Sequence, residues 1–297
     1  MKRFIDIGAN LTDAMYLGIY HGSQKHEPDI KEVIQRSWSA GLEKIIITGG
    51  SVEDAQSALT LAILDDRLFC TVGCHPTRCK EFVEKDPQEY LNQLLNLINE
   101  NPTKVVAIGE IGLDYDRLSF CEKDIQKKFF ELQLTMCDQV NLPLFLHCRA
   151  AYDDFLEILC RNTHRVHGGV VHSFDGSAED ARRILDLGLY IGLNGCSLKN
   201  SENLNVAKTI PLESLLLETD SPWCEIKPSH AGYEYIKTKF PSVKKEKWQC
   251  GSIIKGRTEP MHIIQVLEIL AKIKHEEENK VAQIIYDNTT KLFFKNL

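Results

Sequence analysis

Four side chains that can bind a metal ion each stand at or near the end of a short apolar run. They are Glu110, His147, His172 and Asp220. An unpaired carboxylate within an apolar run is costly, so charged residues at these positions point to a site rather than to packing. Imidazole and carboxylate groups ligate hydrolytic metal centres, which leave coordination positions for water and substrate. A single histidine is more often an ordinary core or surface residue, but four such residues argue against coincidence.

The runs that carry these residues belong to a regular alternation of strand-like and helix-like segments. The predicted strands are 4–10, 44–50, 69–76, 105–114, 143–149, 169–174, 190–195 and 215–221. The predicted helices between them are 30–40, 52–65, 87–100, 124–139, 153–161, 178–187 and 204–209, with caps at Ser177, Gly41 and Gly188. Eight near-continuous apolar strands, each followed by a helix, predict an α/β protein with one (β/α)8 TIM barrel over residues 1–297. The four residues then meet at the C-terminal ends of strands four, five, six and eight.

The segment 225–259 is the least regular part of the chain. It contains two prolines, three glycines and the charge run Lys-Lys-Glu-Lys at 244–247. We interpret it as a long loop after strand eight that covers the barrel mouth, because loops of this length are usually functional or disordered. The charge run is more typical of a solvated surface than of a nuclear-localisation signal. Two further helices are predicted at 260–272 and 276–288.

Composition limits the class of protein. The chain has 297 residues, 43% of them hydrophobic, and no apolar stretch approaches the roughly 20 residues of a membrane span. Asp6 interrupts what would be the apolar core of a signal peptide, so we expect an intracellular protein with no membrane association. We expect the ten cysteines to be reduced and mostly buried, with no disulfide-linked partner, although Cys74, His75 and Cys79 leave a zinc site as an alternative.

Six short segments, in order along the chain, carry a family resemblance. They read Gly-Cys-His-Pro at 73–76, Ile-Gly-Glu-Ile-Gly-Leu-Asp at 108–114, Leu-His-Cys-Arg at 146–149, Val-His-Ser-Phe at 171–174, Glu-Thr-Asp-Ser-Pro-Trp at 218–223 and Arg-Thr-Glu-Pro at 257–260. Together they resemble the TatD-type deoxyribonucleases, within the larger class of barrel metal-dependent hydrolases. The resemblance implies exonuclease-like hydrolysis of DNA with two divalent cations. It implies that Glu110 bridges the cations, one also held by His147 and His172, the other by Asp220.

The first strand departs from the family pattern. Many relatives carry a His-x-His pair there, whereas this chain reads Asp-Ile-Gly-Ala-Asn at 6–10. The resemblance is therefore to the sub-branch without that pair, and Asn10 or Asp6 at best supplies an oxygen. We expect the cation at Asp220 to be magnesium or manganese, which prefer oxygen ligands and retained waters. The position with two imidazoles would accept zinc more readily.

The chemistry assigns roles to further residues. Metal ions would lower the pKa of a bound water, and Asp220 is the candidate to orient or deprotonate it. His75, at the end of strand three, is expected to hydrogen-bond a phosphate oxygen or protonate the leaving group; a structural role is the alternative. Arg149 and Arg257 are candidate phosphate binders.

Each of these binding assignments has a structural alternative. Either arginine can instead pair with a carboxylate such as Glu218 or Glu259. Trp223 is a candidate for stacking a base, with packing under the long loop as the alternative.

The net charge of −7 restricts the mode of nucleic-acid binding. Proteins that grip long duplexes neutralise many phosphates and are usually basic on the binding face. We therefore expect a DNA end or a single strand as substrate, acting in the nucleus, with the cytoplasm as the alternative, and a monomer as the simplest assembly. The rival functions are an amidohydrolase or deacylase on the same barrel, and a non-catalytic metal-binding barrel.

Overall fold

A parallel eight-stranded barrel forms the centre of the protein. The computed structural model describes residues 2–295. The strands follow one another around the sheet in sequence order, and every neighbouring pair is parallel. This confirms the predicted TIM barrel. The strands are β1 (Phe4–Ala9), β2 (Leu42–Ile47), β3 (Leu68–Val72), β4 (Val105–Asp114), β5 (Leu144–Arg149), β6 (Gly169–His172), β7 (Tyr190–Leu193) and β8 (Leu215–Leu217).

The barrel closes where the chain leaves β1 and β8. The N–H of Asp220 donates to the carbonyl oxygen of Gly8 at 2.8 Å, and the N–H of Asn10 donates to that of Ser221 at 2.7 Å. Ala9 and Ser221 form a parallel bridge at the same place. The first and last strands are thus joined just beyond the end of β8.

Helices surround the sheet and bury one apolar face each, as the amphipathic pattern predicts. Ser177 caps the helix that follows it in a reciprocal capping box with Asp180, as predicted. Gly41 and Gly188 take φ values of 97° and 74°, in the left-handed region that favours glycine. The helices are α1 (Ile30–Ser39), α2 (Val52–Ala62), α3 (Glu81–Glu84), α4 (Pro87–Glu100), α5 (Lys123–Leu134), α6 (Tyr152–Arg161), α7 (Ala178–Asp186), α8 (Ser201–Thr209), α9 (Ile263–Lys274) and α10 (Glu278–Phe293).

Two apolar layers hold the barrel together. Alternate strand residues such as Ile7, Ile46 and Phe145 pack inside the barrel, and their neighbours pack against the helices. Phe145 is fully buried in the interior layer. The barrel is therefore a filled core, and its polar chemistry is confined to the rim.

The segment 225–259 lies along the outside of the barrel. Its short strands Ser242–Val243 and Ile253–Ile254 pair in parallel. The N–H groups of Lys237 and Thr238 donate to Glu268 of α9, and Arg36 of α1 donates to the carbonyl oxygen of Gly251. All of its residues are described, and none lines the cavity at the barrel mouth. The segment contacts the outer helices α1 and α9. This placement does not support a role as a cover over the barrel mouth. Across residues 2–295, every helix is too short or too polar to cross a bilayer.

Candidate metal centre at the barrel mouth

One carboxylate oxygen is shared by two imidazoles at the end of the barrel. Oε1 of Glu110 lies 2.7 Å from Nδ1 of His147 and 2.7 Å from Nε2 of His172. The two nitrogens are 3.3 Å apart. All three side chains are buried, with 4–9% of their surface exposed. Strands β4, β5 and β6 thus bring three of the four predicted ligands to one point.

The other ring nitrogen of each histidine faces a second buried carboxylate. Nε2 of His147 lies 3.3 Å from Oδ2 of Asp114, and Nδ1 of His172 lies 3.4 Å from Oε2 of Glu218. Metal-binding histidines commonly present their second nitrogen to a carboxylate, which fixes the ring and raises its basicity. Sequence reasoning did not assign Asp114 a role and considered Glu218 only as a partner of an arginine, although both stand inside the family segments. The donor set therefore fits a divalent cation.

Charge within this group is strongly coupled. Burial raises the pKa of the Glu110 carboxyl, but the attraction of His172 and the hydrogen bonds from His147 and His172 outweigh it and hold that pKa well below its usual range. Burial lowers the pKa of the His172 imidazole, but Glu110 and Glu218 reverse the direction and raise it well above the usual value. A proton on the imidazole thus balances the carboxylates in the metal-free protein. Cation binding at this point must displace protons.

His75 lies beside the group with one nitrogen fixed as an acceptor. Its Nδ1 accepts the N–H of Thr77 at 3.2 Å and lies 2.6 Å from the Thr77 hydroxyl. Burial lowers the pKa of the ring to about 3, so the imidazole is neutral. Its Nε2, 3.5 Å from Oε1 of Glu110, then carries the proton and points into the site. The ligand atoms of His75, Glu110 and His147 all lie within 4.8 Å of one another, so His75 is also a candidate ligand.

Asp220 stands on the other side of the mouth, just past β8. It takes φ 52°, a left-handed conformation that aspartate tolerates better than most residues. Its Oδ1 accepts from the Asn10 amide at 2.9 Å, and its Oδ2 lies 3.3 Å from Sγ of Cys224. Burial, with repulsion from Glu218 and Glu110, raises the pKa of Asp220 to about 6 despite attraction to His172. Cys224 is a contact that sequence reasoning did not anticipate.

Gly8 stands in the first strand, where many relatives carry the His-x-His pair, and the space beside it is occupied by other side chains. A Cβ atom on Gly8 would lie 2.9 Å from Oε2 of Glu218 and 3.0 Å from Cζ of Phe145. Asp6 points away from the mouth, because it is fully buried and bonded to Thr219. Of the two oxygen donors considered for β1, the structure places only Asn10 beside Asp220.

The mouth opens into a cavity of about 520 Å³. Arg149 lines it, with its guanidinium 2.9 Å from Asp116, and so does Trp223, which is 48% exposed. Arg78 and Arg117 line it as well, and sequence reasoning had not singled them out. A larger cavity of about 670 Å³ lies at the other end of the strands, away from the clustered ligands. We place the site at the smaller one, since barrel enzymes carry out chemistry at the C-terminal face.

Arg257 does not belong to this site. Its side chain is buried and makes a two-pronged pair with Asp29 at 2.6 and 2.7 Å, with Glu259 at 3.1 Å. Glu259 is also paired with Arg36 of α1 at 2.8 Å. The assignment of Arg257 to phosphate is therefore wrong on this geometry, and the alternative pairing with Glu259 is the one present. A guanidinium enclosed by two carboxylates has no free face for substrate.

The chain is similar to known proteins in both sequence and fold. A sequence model described as TatD related DNase matches residues 5–294. "Deoxyribonuclease Tat-D" of Schizosaccharomyces pombe is 46% identical, covering 99% of this chain and 96% of that protein. "3'-5' ssDNA/RNA exonuclease TatD" of Citrobacter rodentium is 30% identical over 97% of each chain. The crystal structure of a TatD family hydrolase from Entamoeba histolytica has a TM-score of 0.94 and 41% identity, covering 99% of this chain and 98% of its own. The chain belongs to the TatD related DNase family.

Proposed function

We propose that the protein is a metal-dependent deoxyribonuclease that removes nucleotides from the ends of single-stranded DNA. The main support for this function is Oε1 of Glu110, which lies beside the imidazoles of His147 and His172. The other ring nitrogen of each imidazole faces a buried carboxylate. Relatives named as nucleases match nearly the whole chain and support phosphodiesters as the substrate class. The exonuclease name of the Citrobacter rodentium relative supports attack at a chain end.

Two cation positions follow from the donors. Glu110, His147 and His172 would hold the first cation, and Asp220 with Asn10 would hold the second, with Glu110 between them. On nitrogen and oxygen donors alone, the second position suits magnesium or manganese and the first accepts zinc. Bound cations would supply a water of lowered pKa and neutralise charge on the phosphoryl group.

The protein's own groups would move and hold the protons. Asp220 is the base that orients the attacking water and accepts its proton, and its raised pKa brings it nearer to neutral pH than an ordinary aspartate. His75 presents Nε2–H to the site and would donate a hydrogen bond to a phosphate or leaving-group oxygen. Because its ring is neutral, it would serve as a fixed donor rather than as an imidazolium acid.

Local positive charge would bind the substrate of an acidic protein. Arg78, Arg117 and Arg149 all line the cavity, although the whole chain carries a net charge of −7. Three arginines suffice for one or two phosphates but not for a long duplex. Trp223, exposed at the same rim, offers a face on which an unpaired base can stack.

The substrate also suggests where the protein works. A DNA substrate requires a compartment that holds DNA, so we infer the nucleus, with the cytoplasm as the alternative. Fluorescence microscopy of a tagged chain separates these two. The proposed donors all lie within one chain, so the centre needs no second copy, and a monomer is the simplest assembly; light scattering on the purified protein checks it.

Short single strands labelled at the 5′ or the 3′ end test the function. EDTA-treated protein should be inactive, and added magnesium, manganese or zinc should restore release of nucleotides from one labelled end. Glu110→Ala and Asp220→Ala should each lower the rate by about 10³-fold or more, since each removes a group that holds transition-state charge. Asp186→Ala, at an exposed position of α7, is the matched control.

A panel of amides and esters, assayed in parallel, addresses the rival hydrolase. Cation-dependent turnover of an amide with none of DNA would replace the proposed function. Full activity of both site variants would contradict the proposed centre.

A further inference from the structure

Two cysteines lie beside the second cation position. The Cys224 thiol donates to Oδ2 of Asp220 across 3.3 Å. Cys196, just after β7, lies on the loop that packs against Cys224. Both cysteines are partly buried and line the same cavity as Asp220. A carboxylate and a thiol thus face one space at the mouth.

We propose that Cys224 is a ligand of the cation held by Asp220, so that this position has a sulfur donor. The inference rests on the proposed metal centre but not on its activity toward DNA. In a tetrahedral site with bonds of about 2.3 Å to sulfur and about 2.1 Å to oxygen, the two donors are about 3.6 Å apart. The separation of 3.3 Å in the metal-free protein needs only a small adjustment.

The first strand cannot supply the missing donor instead. Gly8 has no side chain to offer, and a Cβ atom there would lie 2.9 Å from Oε2 of Glu218 and 3.0 Å from Cζ of Phe145, so these side chains occupy the space beside it. Asn10 can add one amide oxygen, which requires its amide to turn over from the orientation that donates to Asp220. The thiol gives the position a third protein donor beside Asp220 and Asn10.

The backbone holds Cys224 in place for this role. A Cβ atom on Gly195 would lie 2.0 Å from the Cys224 carbonyl oxygen, so the loop after β7 packs directly on that peptide. Cys196, on the same loop, lines the same cavity. When a divalent cation binds, the Cys224 S–H bond breaks, its proton leaves to solvent, and the thiolate pairs with the metal. A thiolate ligand changes the metal preference of this position from magnesium and manganese toward zinc.

Cobalt(II) substitution tests the ligand directly. Cobalt bound by thiolate shows charge-transfer absorption in the near ultraviolet, which nitrogen and oxygen ligands do not produce. The measurement is made in a Cys160→Ser/Cys250→Ser background, because those two thiols are exposed and would bind cobalt adventitiously. Equilibrium dialysis counts the bound cobalt in the same samples. We expect two cobalt ions per chain with the thiolate band present, and loss of the band in Cys224→Ser.

Matched variants make each outcome decisive. Cys196→Ser should keep the band, because it removes the neighbour and not the ligand. Two bound cobalt ions without a band, or a band lost in Cys196→Ser but kept in Cys224→Ser, overturns the inference while leaving the metal centre intact. No bound cobalt overturns the metal centre itself. The spectrum of the protein with Cys224 intact already shows whether a thiolate binds cobalt. The test therefore does not depend on whether Cys224→Ser folds.

Discussion

Asp114 and His147 form a buried pair at the end of two neighbouring strands, with Oδ2 of Asp114 3.3 Å from Nε2 of His147. The same ring presents its other nitrogen to Glu110. Asp114 is paired with Arg149 in the strand register, two residues past the pair of Gly112 and His147. The orientation of the imidazole is therefore set by the barrel and not by the metal alone.

Asp114→Ala should weaken cation binding by about 10–100-fold, the usual effect of removing the partner behind a metal-binding histidine. Isothermal titration calorimetry with zinc measures the change. Asp186→Ala on α7 is the control, since that aspartate is exposed and pairs only with Arg182. Equal zinc affinity in both variants would show that Asp114 does not position the ring.

Trp223→Ala should weaken the binding of short single strands by about 5–150-fold, which corresponds to the 1–3 kcal/mol of one stacked base. Trp223→Phe should retain part of the affinity because it retains a stacking face. Fluorescence anisotropy in a Glu110→Gln background measures binding without hydrolysis. The melting temperature should barely move, because the side chain is 48% exposed. A large fall in melting temperature with unchanged affinity would instead favour a packing role.

Arg257→Met should destabilise the protein by about 3–5 kcal/mol, because it leaves Asp29 buried without its cation and Glu259 with Arg36 alone. Urea unfolding measures this loss. Arg182→Met, which removes only exposed ion pairs, should change stability little. The KM for DNA should be the same in the folded Arg257 variant and the wild type. A raised KM with unchanged stability would restore the phosphate-binding role.

Asp6 should make stability depend on pH. Burial raises the pKa of its carboxyl to about 8, against about 3.9 in an unfolded chain. Between these values the folded protein holds a proton that the unfolded chain has lost. This contribution is therefore full below about pH 4 and is lost as the pH rises toward 8.

Asp6→Asn mimics the protonated carboxyl and should remove this dependence of stability on pH. Urea unfolding in EDTA at several pH values, with Asp186→Asn as control, compares the free energies of unfolding. From pH 4 to 8, the free energy of unfolding of Asp6→Asn should rise relative to that of the wild type. Above pH 8, the difference between the two free energies should stay constant. A difference that does not vary with pH would mean that Asp6 is ionised in the folded protein.

Hydrophobic patterning locates every barrel strand but not every strand end. The predicted segment 215–221 continues past β8, which stops at Leu217. Residues 218 and 219 are still buried, so burial alone gives no sign of the end. Past Leu217 the chain keeps isolated backbone contacts with β1 at Asp220 and Ser221, and Asp220 takes a left-handed conformation, a local backbone choice that hydropathy does not encode. The same limit applies at β3, predicted as 69–76 but ending at Val72.

The sequence indicates ligands better than it indicates their partners. Glu110, His147 and His172 stand out because polar residues at the ends of apolar runs need a reason to be there. Arg257 was open to two interpretations, since its partner Asp29 is 228 positions away in sequence and only folding brings them together. Cys224 gave no signal, because a cysteine near an apolar segment is ordinarily a buried thiol.

The hydrogen bonds that join β1 to β8 make the centre depend on residues far apart in the chain. Asp220 reaches its place through the hydrogen bond to the carbonyl oxygen of Gly8, a residue more than two hundred positions earlier. A growing chain on the ribosome can form the early strands but cannot assemble both halves of the centre until Asp220 has been made. A product terminated before β8 would therefore lack one half of the proposed metal centre.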